Sequence, residues 1–66
     1  MNVILYSTDC PKCVILETKL RNKNVDFEIN YNVDKMIELG FTQAPVLSVD
    51  GKCMAFGEAN DWVNKQ

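Results

Sequence analysis

Asn2-Val3-Ile4-Leu5-Tyr6-Ser7-Thr8-Asp9-Cys10-Pro11-Lys12-Cys13 is the stretch on which the fold turns. Asn2–Tyr6 reads as a buried strand, a short apolar run closed by the polar loop Ser7-Thr8-Asp9. From Pro11 to Lys23 the pattern is helical, and Pro suits a first helical turn because the N–H it lacks would have had no partner there. Cys10 therefore falls at a helix N-terminus, where free backbone N–H groups and the positive end of the helix dipole favour an anion. A cysteine so placed is held partly as thiolate, the form that attacks disulfides. Cys13 follows one helical turn later, close enough to close a disulfide with Cys10.

Three chemistries use such a pair. A structural zinc site takes four ligands, whereas this chain has three cysteines and no histidine; with Cys53 standing alone, the fourth ligand would be a carboxylate such as Asp9 or come from a second chain. A structural staple is the second, but so short a loop constrains the unfolded chain little and a small cytosolic domain stays reduced. Redox catalysis is the third, and the one this pattern favours.

The 66 residues make one domain, residues 1–66, near the lower limit at which a single core is stable without staples. At 47% hydrophobic and 24% charged the composition is that of a globular protein, with neither repeat nor low-complexity tract. A net charge of −2 with interspersed signs gives no footprint for nucleic acid. Val3–Tyr6 and Cys13–Leu16, the longest apolar stretches, are far too short to cross a bilayer. The start of the chain lacks a basic segment followed by a long apolar one, so no signal peptide is visible. An odd number of cysteines argues against a secreted disulfide framework, and the cytoplasm is the expected location.

Beyond the first helix, Val25-Asp26-Phe27-Glu28-Ile29 alternates apolar and polar residues with the strand period, and Asn24 before it reads as a helix stop. Asp34 reads as the cap of a short second helix carrying Met36, Ile37 and Leu39, ended by Gly40. Pro45–Val49 reads as a third strand, Asp50-Gly51 as a two-residue hairpin turn, Lys52–Phe56 as a fourth strand, and Glu58–Lys65 as a last short helix. The expected architecture is α/β, ordered β-α-β-α-β-β-α. A right-handed crossover gives one parallel pair, the hairpin one antiparallel pair, and helices lie on both faces of a mixed four-stranded sheet.

That order, with C-x-x-C after the first strand and Pro45 opening the third, resembles the thioredoxin fold in its minimal, glutaredoxin-like form over essentially the whole chain. Cys10-Pro11-Lys12-Cys13 is similar to the Cys-Pro-Tyr-Cys of dithiol glutaredoxins, with Lys12 in the tyrosine's place. Gly40-Phe41-Thr42-Gln43-Ala44-Pro45-Val46 is closer to the Gly-Phe-Arg-Gln-x-Pro-Val of small redoxins that serve ribonucleotide reductases. Departures matter as well. Glutathione-binding glutaredoxins usually carry a basic residue before the first Cys, where Ser7-Thr8-Asp9 has none. They also tend to carry Gly-Gly and an Asp pair near the last helix, where Phe56-Gly57-Glu58-Ala59-Asn60 has one Gly and no pair. The Trp-Ser-Gly-Phe usual in the reductase-associated redoxins is missing too.

The resemblance implies a thiol–disulfide oxidoreductase that passes two electrons to a protein disulfide, ribonucleotide reductase being one such substrate. Cys10 is the expected nucleophile, titrating below the ordinary thiol value of about 8.5, with Cys13 the resolving thiol of unshifted pKa. Pro11, Lys12, Gln43, Ala44 and Pro45 are the expected substrate contacts, Pro45 cis by resemblance and Ala44 pairing with substrate in strand fashion. Lys12 reads either as a charge favouring the thiolate or as a solvated first-turn lysine. Glu17, four residues after Cys13, reads either as acceptor of its proton or as solvated. Val14 and Ile15 lie off the Cys13–Leu16–Leu20 stripe, either packed under the last helix near Trp62 or forming an apolar rim for a partner. Cys53 reads as a small hydrophobe, and Phe27, Ile29, Val46, Leu47 and Trp62 as core.

The cycle calls for no organic cofactor and no metal, only a redox-active Cys10–Cys13 disulfide. The expected donor is a thioredoxin reductase, with glutathione as co-substrate the first alternative. A C-x-x-C module holding a metal or iron–sulfur cluster at a dimer interface is the alternative from another class. The expected protein is a monomer that meets neither nucleic acid nor membrane.

Overall fold

β1 (Val3–Tyr6) leads into α1 (Pro11–Asn22), followed by β2 (Glu28–Asn30), α2 (Val33–Glu38), β3 (Val46–Val49), β4 (Lys52–Met54) and α3 (Phe56–Asn64), in a computed structural model describing residues Met1–Gln66. The β-α-β-α-β-β-α order is the expected one. The strands form one sheet in the order β2-β1-β3-β4. β1 runs parallel to β2, with Leu5 opposite Ile29, and antiparallel to β3, with Leu5 opposite Leu47. β3 and β4 are antiparallel, with Ser48 opposite Cys53. The sheet is mixed because α1 carries the chain back to start β2 in the direction of β1, whereas a two-residue turn reverses it between β3 and β4. Asp50 and Gly51 both have positive φ (50° and 90°), the conformation that such a turn demands.

Strand alternation divides the interior in two. Val3, Leu5, Leu47 and Met54 meet Leu16 and Leu20 of α1 and Ala59 and Val63 of α3 in the main core, all buried. On the opposite face Tyr6 and Val46 meet Met36, the one buried residue of α2, with Ile4, Phe41, Ala44 and Cys53 packed around them. α1 and α3 are tied together by Lys19, whose Nζ donates to Oδ1 of Asn60 (2.6 Å) and of Asn64 (3.2 Å). No helix is long and apolar enough to cross a membrane.

Element boundaries depart from the expectation where caps intervene. α1 stops in a Schellman motif: Asn24 takes a left-handed φ of 57°, its N–H bonds to Arg21 O, and the Val25 N–H reaches back to Leu20 O. Val25 is thus committed to ending the helix, and β2 begins three residues later than its alternating pattern suggested, at Glu28 opposite Ile4. α2 is capped by Asn32, not Asp34: Asn32 Oδ1 accepts the Lys35 N–H at 3.2 Å, and Asp34 sits in the first turn. Gly40 (φ 91°) ends α2 in a second Schellman motif, with the Phe41 N–H on Met36 O. β3 starts at Val46, since Pro45 has no N–H to give to the ladder. β4 ends at Met54 and α3 begins two residues before Glu58, at Phe56, so Phe56 is helical rather than a strand residue. Val46 and Leu47 are fully buried as expected, whereas Phe27, Ile29 and Trp62 are half-buried at the margin.

Candidate active site

The loop between β1 and α1 is folded by its own polar groups. The Ser7 N–H bonds to Asn30 O, which prolongs the β1–β2 ladder by one residue. Its hydroxyl accepts the Asp9 N–H at 3.1 Å, a tight side-chain turn. Asp9 then takes a left-handed φ of 59°, a conformation Asp tolerates better than most residues. The chain is thereby turned so that Cys10 becomes the N-cap of α1 and Pro11 its first helical residue.

Cys10 does what a capping side chain does: its sulfur accepts the Cys13 N–H at 3.2 Å. Its own thiol faces the Ala44 carbonyl at 3.8 Å, across from the cis Ala44–Pro45 peptide. Four of the expected site residues, Cys10, Cys13, Ala44 and Pro45, are therefore brought together by two distant segments. Pro11, Lys12 and Gln43 are exposed around them. Cys10 is half-exposed, whereas Cys13 is 1% exposed and faces the interior with Leu16 and Leu20. All three cysteines are free thiols.

The expected unshifted pKa of Cys13 does not hold. Burial pushes the Cys13 thiol up, but hydrogen bonds from the Cys10 side chain, the Thr8 N–H (3.5 Å), the Ser7 hydroxyl and the Cys10 backbone outweigh it and hold Cys13 below its ordinary value. The donors reach the deeper sulfur, and the helix-start argument overlooked them because it counted only the free N–H groups and the dipole of the helix itself.

The other side chains near the thiols take definite positions. Lys12 Nζ sits 5.3 Å from the centre of the Phe56 ring, drawn onto α3 by a cation–π contact. Glu17 is partly buried and bridged to Arg21 at 2.6 Å on the helix surface. Val14 and Ile15 are 49% and 44% exposed, which leaves them as an apolar rim beside the thiols rather than packing under α3. On the flank towards β2, the Tyr31 phenol has its pKa raised, first by the Asp9 charge, then by desolvation, by Glu17 and by its hydrogen bond to Asp9, with Arg21 opposing. Cys53 belongs to the second face, packed beside Tyr6, Met36 and Val46. No three His, Cys, Asp or Glu side chains cluster in the chain, so the metal alternative requires ligands from a second copy. A surface groove of about 240 Å³ between β4 and α3, lined by Lys52, Met54, Glu58, Asp61, Trp62 and Lys65, contains neither Cys10 nor Cys13.

Ser7 and Thr8 are what reading the sequence missed. A polar loop before a C-x-x-C was read for the basic residue it lacks. The signal available was a serine at the last step of a strand, where burial requires a partner for the hydroxyl.

The sheet order, the α1 crossover and the paired thiols at the start of α1 are those of a thioredoxin-like α/β redox protein. The chain is 32% identical over 63 residues to a thioredoxin of Methanothermobacter thermautotrophicus, an alignment covering 86% of this chain and 82% of that protein. It belongs to the thioredoxin family and is, in that general sense, a thiol–disulfide oxidoreductase. No protein-family model and no solved structure matches it.

Proposed function

We propose that the protein reduces disulfides of other proteins, with Cys10 as nucleophile and Cys13 as resolving thiol. The observation carrying this assignment is the unequal exposure of the two residues: Cys10 is half-exposed, while Cys13 is 1% exposed. The Cys10 thiolate attacks one sulfur of the substrate disulfide, forming a mixed disulfide, and the other substrate sulfur leaves as a thiolate and takes a proton. Cys13 then attacks Sγ of Cys10, the bond to the substrate breaks, and the second substrate sulfur leaves and is protonated. Two electrons pass from the Cys10–Cys13 pair to the substrate. The cycle calls for no cofactor beyond the two thiols.

Ala44, beside the cis peptide and facing Cys10, is the backbone on which an extended substrate segment lies, flanked by Gln43, Pro45, Pro11 and Lys12. Val14 and Ile15 form the apolar part of that contact. The donor in this reading is a flavin-dependent thioredoxin reductase rather than glutathione. Asp9 puts negative charge next to Cys10 in the chain, and no basic side chain precedes the pair to receive glutathione's carboxylates. Each absent charged hydrogen bond weakens such binding by about 1.5–3 kcal/mol. One observation favours glutathione as the second reading: the N-terminus of α3 has no side-chain cap, leaving N–H groups at Phe56–Glu58 to bind a carboxylate. A ribonucleotide reductase is the substrate to try first, on the strength of Gly40–Val46.

The test is turnover on one protein disulfide with NADPH and a thioredoxin reductase from the same source, against turnover with millimolar glutathione. Faster turnover with the flavin enzyme is expected. Efficient glutathione turnover with none from the reductase overturns the donor assignment.

A further inference from the structure

Two lysines of α1 reach across the seam to α3. Lys12 Nζ lies 5.3 Å from the centre of the Phe56 ring, and Lys19 Nζ donates to Oδ1 of Asn60 and of Asn64 at 2.6 and 3.2 Å. Lys12 and Lys19 are seven residues apart, and Phe56, Asn60 and Asn64 recur every fourth residue, so each set falls on one face of its helix. All three α3 residues are neutral. The carboxylates of α3, Glu58 and Asp61, line instead the groove towards β4, where Glu58 is bridged to Lys52 at 3.2 Å. The other ion pairs of the chain are Arg21–Glu17 and Lys35–Glu38, so neither seam lysine is paired to a carboxylate.

Of the two, Lys12 stands where the chemistry happens, exposed and lying between Cys10 and Cys13 in the chain. An aromatic face holds an ammonium in place without cancelling its charge. A surface lysine gives up rotamer freedom when it pairs with an anion, and one already held gives up less. Phe56 packs against the main core, so the platform itself is fixed. We propose that Lys12, positioned by Phe56, selects substrates: it receives the carboxylate of an acidic residue flanking the disulfide that Cys10 attacks. The partner class is a protein disulfide set in an acidic segment. Asp9, exposed on the other side of Cys10 in the chain, repels acidic groups there, so the preference belongs to the α3 side of the site. This rests on the reading of Cys10 as the sulfur that meets substrate.

The test uses peptides carrying one cysteine as a mixed disulfide with a coloured aromatic thiol, with Glu, Gln or Lys placed two residues before or after it. Release of colour by the reduced protein gives the rate of attack, which is divided by the rate of dithiothreitol on the same peptide. At one of the two positions Glu should react about fivefold faster than Lys at low salt, as one surface charge pair allows, and the gap should close at about 0.5 M salt. Lys12→Arg should keep that ratio, whereas Lys12→Met and Phe56→Leu should bring it towards one. The ratio is taken within each variant, so a loss of folded protein cancels. A ratio near one at both positions in the parent, or a ratio unmoved in Lys12→Met, overturns the proposal. So does a ratio unmoved in Phe56→Leu, which changes the platform but no charge. Colour released at the parental rate by Cys10→Ser refutes instead the reading of Cys10 as nucleophile.

Discussion

Truncating two adjacent residues of α1, Ile15→Ala and Leu16→Ala, separates what holds the fold from what meets a partner. Leu16 is fully buried in the cluster with Leu5, Leu20, Ala59 and Val63. Losing it leaves a cavity under the thiol-bearing turn, at a cost of about 2.7–5 kcal/mol. A 66-residue domain has roughly 3–10 kcal/mol of stability in all, at about 0.05–0.15 kcal/mol per residue, so Leu16→Ala should be barely folded at room temperature. Ile15 is 44% exposed. Only about half of the 1.5–3 kcal/mol contributed by a fully buried aliphatic side chain is at stake there, about 1 kcal/mol. Urea unfolding followed by Trp62 fluorescence measures both. Turnover on a protein disulfide against a small disulfide then reads function: Ile15→Ala should raise KM for the protein several-fold and leave the small substrate nearly untouched. An Ile15→Ala cost equal to that of Leu16→Ala would refute the facing of α1, and an unchanged substrate ratio would refute the apolar rim.

Cys10→Ser should abolish disulfide reduction, Cys13→Ser should accumulate a mixed disulfide visible by mass spectrometry, and Cys53→Ser should turn over close to the parent; capture by Cys10→Ser with inert Cys13→Ser would exchange the roles. The lowered Cys13 pKa sets the sign of a pH effect: a depressed acid stabilises the reduced fold fully above the unfolded thiol value of about 8.5 and loses that contribution as pH falls through the folded value. The stability of reduced minus oxidised protein should therefore rise with pH below that value, and a flat or falling difference in urea midpoints contradicts it. Lys19→Met removes the two bonds to Asn60 and Asn64 and should cost about 1–2 kcal/mol. Adding Asn60→Ala to that variant should then cost little more, whereas full additivity would mean that the pair does not interact.

Periodicity and turn chemistry by themselves determined the element order, the mixed sheet and the cysteine pair at the start of α1. Each of these is local: Pro11 at a first helical turn, Asn24 and Gly40 in left-handed helix stops, Asp50-Gly51 in a hairpin. The inward stripe Cys13–Leu16–Leu20 was equally legible, because a helix repeats every 3.6 residues whatever surrounds it. Boundaries were less so, since Val25 and Phe56 each answer to a cap as well as to a pattern. The environment of the two sulfurs was decided only by tertiary structure. Which donors reach Cys13 depends on how Ser7 and Thr8 turn at the end of β1, and where Lys12 and Glu17 point depends on Phe56 and Arg21. A hydrogen bond or a burial penalty is set by atoms within a few ångströms, and residue type and spacing do not say how a loop turns those atoms or what packs against them.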